Sequence, residues 1–142
     1  MPDPESGAAM TVITVVAAVL EREGRVLIAQ RKRGGRHALK WEFPGGKVEA
    51  GEAPRAALER ELREELGIQA AIGEEMAGYE VQYPDSPRLR LIFYRVTDFS
   101  GEPHNLEFEQ MVWERRARLG TYDFLEGDRE FLRVLASGER EE

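Results

Sequence analysis

At 142 residues the chain is the size of one domain and long enough to bury a core without disulfide or metal staples. It contains no cysteine, which excludes a disulfide framework and a thiolate metal site, and its net charge of -7 argues against a grip on the backbone of a polymeric nucleic acid. With 42% apolar and 33% charged residues, the composition is that of an ordinary soluble globular domain.

Residues 1–9 are small, polar or Pro-rich and are expected to form a disordered tail, leaving 10–142 as a single domain. The start, Met1-Pro2-Asp3-Pro4-Glu5, lacks the basic opening of a secretory signal, and the apolar run Val12 to Leu20 is too short to span a bilayer. A cytoplasmic protein with no membrane partner is the expectation. Thr11 to Glu21 is β-branched and predicts a strand, Arg22-Glu23-Gly24 a turn, and Arg25 to Gln30 the hairpin partner. Arg31 to Lys40 carries five basic residues and Gly34-Gly35 and reads as a loop. Trp41-Glu42-Phe43 predicts a short strand stopped by Pro44-Gly45-Gly46. Residues 54–66 are the clearest helix: Pro54 suits its first turn, Leu58, Leu62 and Leu66 form one apolar stripe, and Gly67 is a C-terminal stop. Short strands are expected at 68–72, 78–83, 88–98 and 110–114. A closing helix is expected over 129–136, with Asp128 at its N-cap. Strands, helix, strands, helix in that order predict an α/β fold with a mixed sheet flanked by helices.

Helix 54–66 carries an electrostatic oddity. Glu61, Glu64 and Glu65 lie three and four apart, on one side of the helix, and two of them fall in the last turn, where the helix dipole disfavours anions. Arg60 and Arg63 offset only part of the repulsion. One reading is a solvated charged face. The other is a hard-cation site, since convergent carboxylates suit Mg²⁺ or Mn²⁺ when water and phosphate oxygens complete the coordination. The preceding segment favours the second: Gly45-Gly46-Lys47 lets backbone approach a ligand, and Glu52 adds a fourth acid before the helix.

These residues spell a pattern. Gly46, Glu52, Arg60, Glu61, Leu62, Glu64, Glu65, Gly67 and Ile68 stand at the spacing G-x5-E-x7-R-E-U-x-E-E-x-G-U, where U is a bulky aliphatic residue. This resembles the Nudix box without a departure, and Trp41-Glu42-Phe43-Pro44-Gly45-Gly46-Lys47 resembles the lead-in of the MutT-like branch. The resemblance implies an α/β/α sandwich that hydrolyses nucleoside triphosphates to the monophosphate and pyrophosphate with Mg²⁺ or Mn²⁺. It makes a small-molecule nucleotide the expected partner, met by a monomer or homodimer.

Under that resemblance Glu61 and Glu65 are the main expected metal ligands, with Glu64 close behind, the Gly45 carbonyl beside them and Glu107 as an additional acid for which Glu109 is the alternative. Glu52 and Glu64 are candidates for accepting the proton of the attacking water. Arg60 is expected to orient a carboxylate, given its planar fork of donors. Lys47 and Arg31 are expected to contact phosphate. Asp128 stands where related enzymes read the base, with helix capping as its other possible job, and Phe43 flanks the base or belongs to the core. In the oxidised-guanine branch Asn often stands where this chain has Asp128, which opens a cytidine nucleotide as an alternative to 8-oxo-dGTP. A non-catalytic nucleotide sensor is a further alternative, disfavoured by the intact acids. His37 and His104 are expected at the surface.

Overall fold

Strand β1 (Val12–Arg22) is the spine of the fold, and its alternation sorts the chain into two cores. Val16, Ala18 and Leu20 face one side of the sheet, while Val15, Ala17 and Val19 face the other. The computed structural model describes residues 11–141, with side chains through 136, so the tail expected over 1–9 lies outside the described residues.

In chain order the elements are β1, β2 (Arg25–Gln30), β3 (Trp41–Glu42), β4 (Gly45–Lys47), α1 (Pro54–Leu66), β5 (Gln69–Ala71), β6 (Glu75–Val81), β7 (Arg88–Val96), β8 (Asp98–Ser100) and β9 (Gln110–Glu114). Two 3₁₀ turns, Arg116–Thr121 and Glu126–Asp128, lead into α2 (Arg129–Glu141). Among the described residues seven strands join into one sheet. β1 and β7 run parallel from Val12↔Arg88 to Leu20↔Val96, and the other pairings are antiparallel, so the sheet is mixed as expected.

The sheet splits beside β1. At its far end β1 pairs with β2 only through Glu21↔Val26 and Arg22↔Arg25, while its middle pairs with β4 through Val15↔Lys47, Val16↔Gly46 and Ala17↔Gly45. The segment 41–47 thus crosses from β2, which it meets through β3, to β1. This corrects the reading of Gly45-Gly46 as a strand stop. Glycines have little intrinsic strand preference, and only the long-range ladder to β1 makes them one.

Helix α1 covers one face and α2 the other, which gives the α/β/α sandwich. Ala57, Leu58, Leu62 and Leu66 are buried against Val16, Leu27 and Ile92; Phe131 and Leu135 are buried against Val19, Ile28 and Phe93. Each buried leucine stabilises by about 1.5–3 kcal/mol, whereas each like-charge pair on α1 costs a few tenths. Burial wins, and the acidic edge of α1 is tolerated. α1 begins at Pro54 without a side-chain cap and ends as Gly67 donates its N–H to the Arg63 carbonyl.

Candidate active site

The acids of α1 are set by how closely the helix approaches β4. A Cβ at Gly45 would run into the Val16 carbonyl oxygen, and one at Gly46 into the Glu61 carboxylate. Without side chains there, α1 presses Glu61 and Glu65 against the strand, and Gly45 N–H donates to Glu65 Oε1 at 3.2 Å. The Glu61 and Glu65 carboxyl groups are hydrogen bonded to each other. Burial pushes Glu65 up to about 10, with the neighbouring Glu61 charge and hydrogen bond adding to it and Glu42 contributing further.

Glu64 does not join them. Its side chain is 58% exposed, against 16% for Glu61, and it meets Arg60 at 3.4 Å. Among the described residues no group of three acids or histidines is assembled at metal-binding distance. The expected convergence of three carboxylates is therefore a convergence of two, because the i to i+3 offset swings Glu64 toward solvent.

Arg60 organises the rest of the box. Its Nε donates to Glu52 Oε2 at 2.9 Å and its Nη2 to Glu52 Oε1 at 3.0 Å, a two-pronged pairing. Other Arg60 donors reach Glu61 at 3.2 Å and the Lys47 carbonyl at 3.1 Å. Glu52 also accepts the Glu49 N–H, at 3.0 Å. The Arg60 hydrogen bonds, aided by that backbone donor, hold Glu52 down at about 2. Both its oxygens are engaged, so it is a weak proton acceptor. Arg60 thus contacts the carboxylates it was expected to orient.

A cavity of about 540 Å³ opens at the split in the sheet. Glu65, Gly45, Gly46 and Lys47 line it, as do Arg31, Glu42, Phe43, Tyr83, Glu107 and Asp128. Glu107 faces the cavity, whereas Glu109 turns to Arg33 at 3.6 Å. Arg31 donates to Glu42 Oε1 at 3.0 Å and to the Arg36 carbonyl at 2.9 Å. Phe43 is only 3% exposed and packs its ring among Phe93, Phe124 and Phe131, so it belongs to the core while still edging the cavity.

Asp128 is buried, 7% exposed, at the junction of the second 3₁₀ turn and α2. Its carboxyl accepts the Phe43 backbone N–H and faces the cavity. Burial pushes it up to about 8, the charge of Glu42 adds to this, and the Phe43 N–H and Arg31 only partly oppose it. Burial thus favours the neutral acid, which presents a donor as well as an acceptor.

Sequence reasoning passed over three lining residues. Glu42 is half-buried and raised by desolvation, its Arg31 partner offsetting part of the shift; an acid between Trp41 and Phe43 was the available signal. His37, expected at the surface, lines the cavity and sets its ring 5.0 Å from that of Tyr83. No local pattern marked Tyr83. His104 is exposed as expected.

The geometry has counterparts. The NUDIX domain family matches residues 10–135. The chain is 45% identical over 104 residues to a CTP pyrophosphohydrolase of Escherichia coli, covering 73% of this chain and 76% of that one. It is 38% identical over 114 residues to an 8-oxo-dGTP diphosphatase of Haemophilus influenzae, covering 80% and 83%. The solution structure of the E. coli ORF135 protein superposes with a TM-score of 0.83 at 38% identity, covering 92% of each chain.

Proposed function

The chain belongs to the NUDIX family, and from that premise we propose that it hydrolyses a (deoxy)nucleoside triphosphate to the monophosphate and pyrophosphate. The observation that carries this reading is that the Glu65 carboxyl and the buried Asp128 carboxyl open on one cavity of nucleotide size. Oxidised dGTP is the first substrate reading, for nucleotide-pool sanitation in the cytoplasm. CTP or dCTP is the second, supported by the 45% identity to a CTP pyrophosphohydrolase.

Nudix hydrolases work with divalent metal ions. The donor set here fits one: Glu61 and Glu65 are hard oxygen ligands pressed together so that Glu65 resists ionising, a repulsion a cation would relieve. We assign Mg²⁺ or Mn²⁺ to Glu61, Glu65 and the Gly45 carbonyl, with Glu107 as a further ligand; Glu64, expected as a ligand, is left to another role. When bound, the ion neutralises the triphosphate and supplies an activated water. Lys47 and Arg31, both lining the cavity, contact phosphate. Glu64 takes the proton of the attacking water, because Glu52 is locked on Arg60 and held near 2. Arg60 keeps Glu52 and Glu61 in place. Asp128 reads the base edge and the cavity edge of Phe43 supports it. A neutral carboxylic acid meets an acceptor beside a donor, which both cytosine (N3 and the 4-amino group) and 8-oxoguanine (O6 and N7–H) offer.

The test is a nucleotide panel of 8-oxo-dGTP, dGTP, CTP and dCTP with Mg²⁺, scored for pyrophosphate against phosphate. Pyrophosphate release that stops in excess chelator is expected. Release of single phosphates, or full turnover in EDTA, would overturn the reading.

A further inference from the structure

An aspartate directly before a helix ordinarily turns its carboxylate back onto the first free N–H groups. Asp128 does not; its carboxyl goes to the cavity and the Phe43 N–H. The first turn of α2 is served instead from the sheet. Tyr79, on β6, donates its hydroxyl to the Gly127 carbonyl at 2.7 Å and accepts the Phe131 N–H at 3.2 Å. Tyr83, four residues on, accepts the Gly127 N–H at 2.6 Å. Two phenol oxygens thus hold Gly127 from both of its peptide groups. The carbonyl that Tyr79 holds belongs to the same planar peptide as the Asp128 nitrogen, so fixing it fixes where Asp128 leaves the backbone.

Both tyrosines are themselves anchored. The Tyr79 ring stacks on buried Phe93, with centroids 5.7 Å apart, and the Tyr83 ring lies against His37 of the basic loop. A Cβ at residue 127 would come within 2.7 Å of the Tyr83 hydroxyl, so the close grip requires glycine there.

We propose that Tyr79 and Tyr83 are positioning residues for base selectivity: Tyr79 takes over the capping of α2, the pair locks the Gly127 turn, and Asp128 is thereby released to face the nucleotide base. The proposal rests on the reading of Asp128 as the base-contacting group. It assigns to β6 a share of substrate choice that acts through the turn rather than through contact with the base.

The experiment measures kcat and KM for 8-oxo-dGTP, dGTP, CTP and dCTP in the wild type, Tyr79→Phe, Tyr83→Phe, the double variant and Asp128→Ala. The preferred nucleotide should lose roughly tenfold in kcat/KM in the double variant, mostly through KM, the scale of a small misplacement of a contacting group. The poorest nucleotide should change by about twofold or less, so the spread between bases collapses toward that of Asp128→Ala. Loss of folded protein alone scales every nucleotide by one factor and leaves the spread intact. A wild-type spread in the double variant, with a collapsed one in Asp128→Ala, would overturn the positioning role while sparing the base-reading one. An unchanged spread in Asp128→Ala would remove both. Should the double variant not fold, Gly127→Ala disturbs the same grip from the turn side, and an unaltered ranking there would equally overturn the proposal.

Discussion

Replacing Glu65 by Gln should stabilise the metal-free protein, by an amount that grows with pH. Gln imitates the protonated acid: its carbonyl oxygen can still accept the Gly45 N–H, and its amide can donate to Glu61 as the shared proton does now. An ordinary glutamate loses its proton near 4.5, while the folded chain holds that of Glu65 up to about 10. Because this acid is raised, the folded state binds more protons than the unfolded one between those values, and its contribution to stability falls as pH rises through that window. At about 1.4 kcal/mol per pH unit, the loss accumulated by pH 7 is on the order of 3 kcal/mol. For a chain of this length that corresponds to roughly 6–12 °C in Tm. Thermal melts of wild type and Glu65→Gln in chelator, from pH 5 to 8.5, measure it. The two curves should nearly meet at pH 5 and separate as pH rises. Added Mg²⁺ should raise the wild type more than the variant and narrow the gap. Curves that stay superimposed across the range in chelator would show that Glu65 is not held protonated by its neighbours.

The same substitution should slow turnover while it stabilises: Glu61→Gln and Glu65→Gln should each lose about 10²-fold or more in kcat, and normal turnover in both would return the acids to the status of a charged surface. Gly46→Ala, whose methyl group displaces the Glu61 carboxylate, should cost about tenfold or more in kcat/KM while the far-UV CD spectrum is kept; wild-type rates would mean that Glu61 has room to relocate. Asp128 gives a pH signature. Below about 8 it is protonated and can donate, and above it can only accept. The kcat/KM of a nucleotide that uses that donor should therefore fall through this pH, whereas Asp128→Asn, a donor at every pH, should flatten the limb. Parallel profiles for the two proteins would contradict the assignment.

What sequence could specify here was local. α1 was predicted over 54–66 and is found over Pro54–Leu66, and β2 likewise matches, because an apolar period and its stop signals lie within the segment itself. The acids of the box were legible as a repulsive cluster that a surface helix has no reason to keep. β4 was not legible, since its strand character comes from a ladder to residues thirty positions earlier. β6 begins at Glu75 rather than 78, and the strand expected over 88–98 ends at Val96, with 98–100 pairing β5 instead. Asp128 is open to two readings from its position, a base contact or a helix cap, and the Phe131 N–H of the first turn of α2 is met by Tyr79 of β6, a long-range contact that no local pattern marks. Glu42 and Tyr83 acquire their place in the cavity from tertiary packing, and no spacing rule brings them beside Asp128.

The crossing segment 41–47 belongs to two ladders, one to β2 and one to β1, and is tied further by Ala18 N–H to the Pro44 carbonyl at 2.8 Å and by Leu125 N–H to the Trp41 carbonyl at 3.0 Å. It works as a rivet through the seam of the sheet. The seam cannot gape to admit a nucleotide without shearing the rivet, and the rivet carries Glu42, Phe43 and Gly45. Phe43, at the edge of the cavity, and Gly45, whose N–H seats Glu65, stand two residues apart on that segment. Under the proposed roles of Phe43 and Glu65, selectivity and hydrolysis share one piece of chain, so a change there that broadens the range of bases accepted should also alter the rate at which each is cleaved.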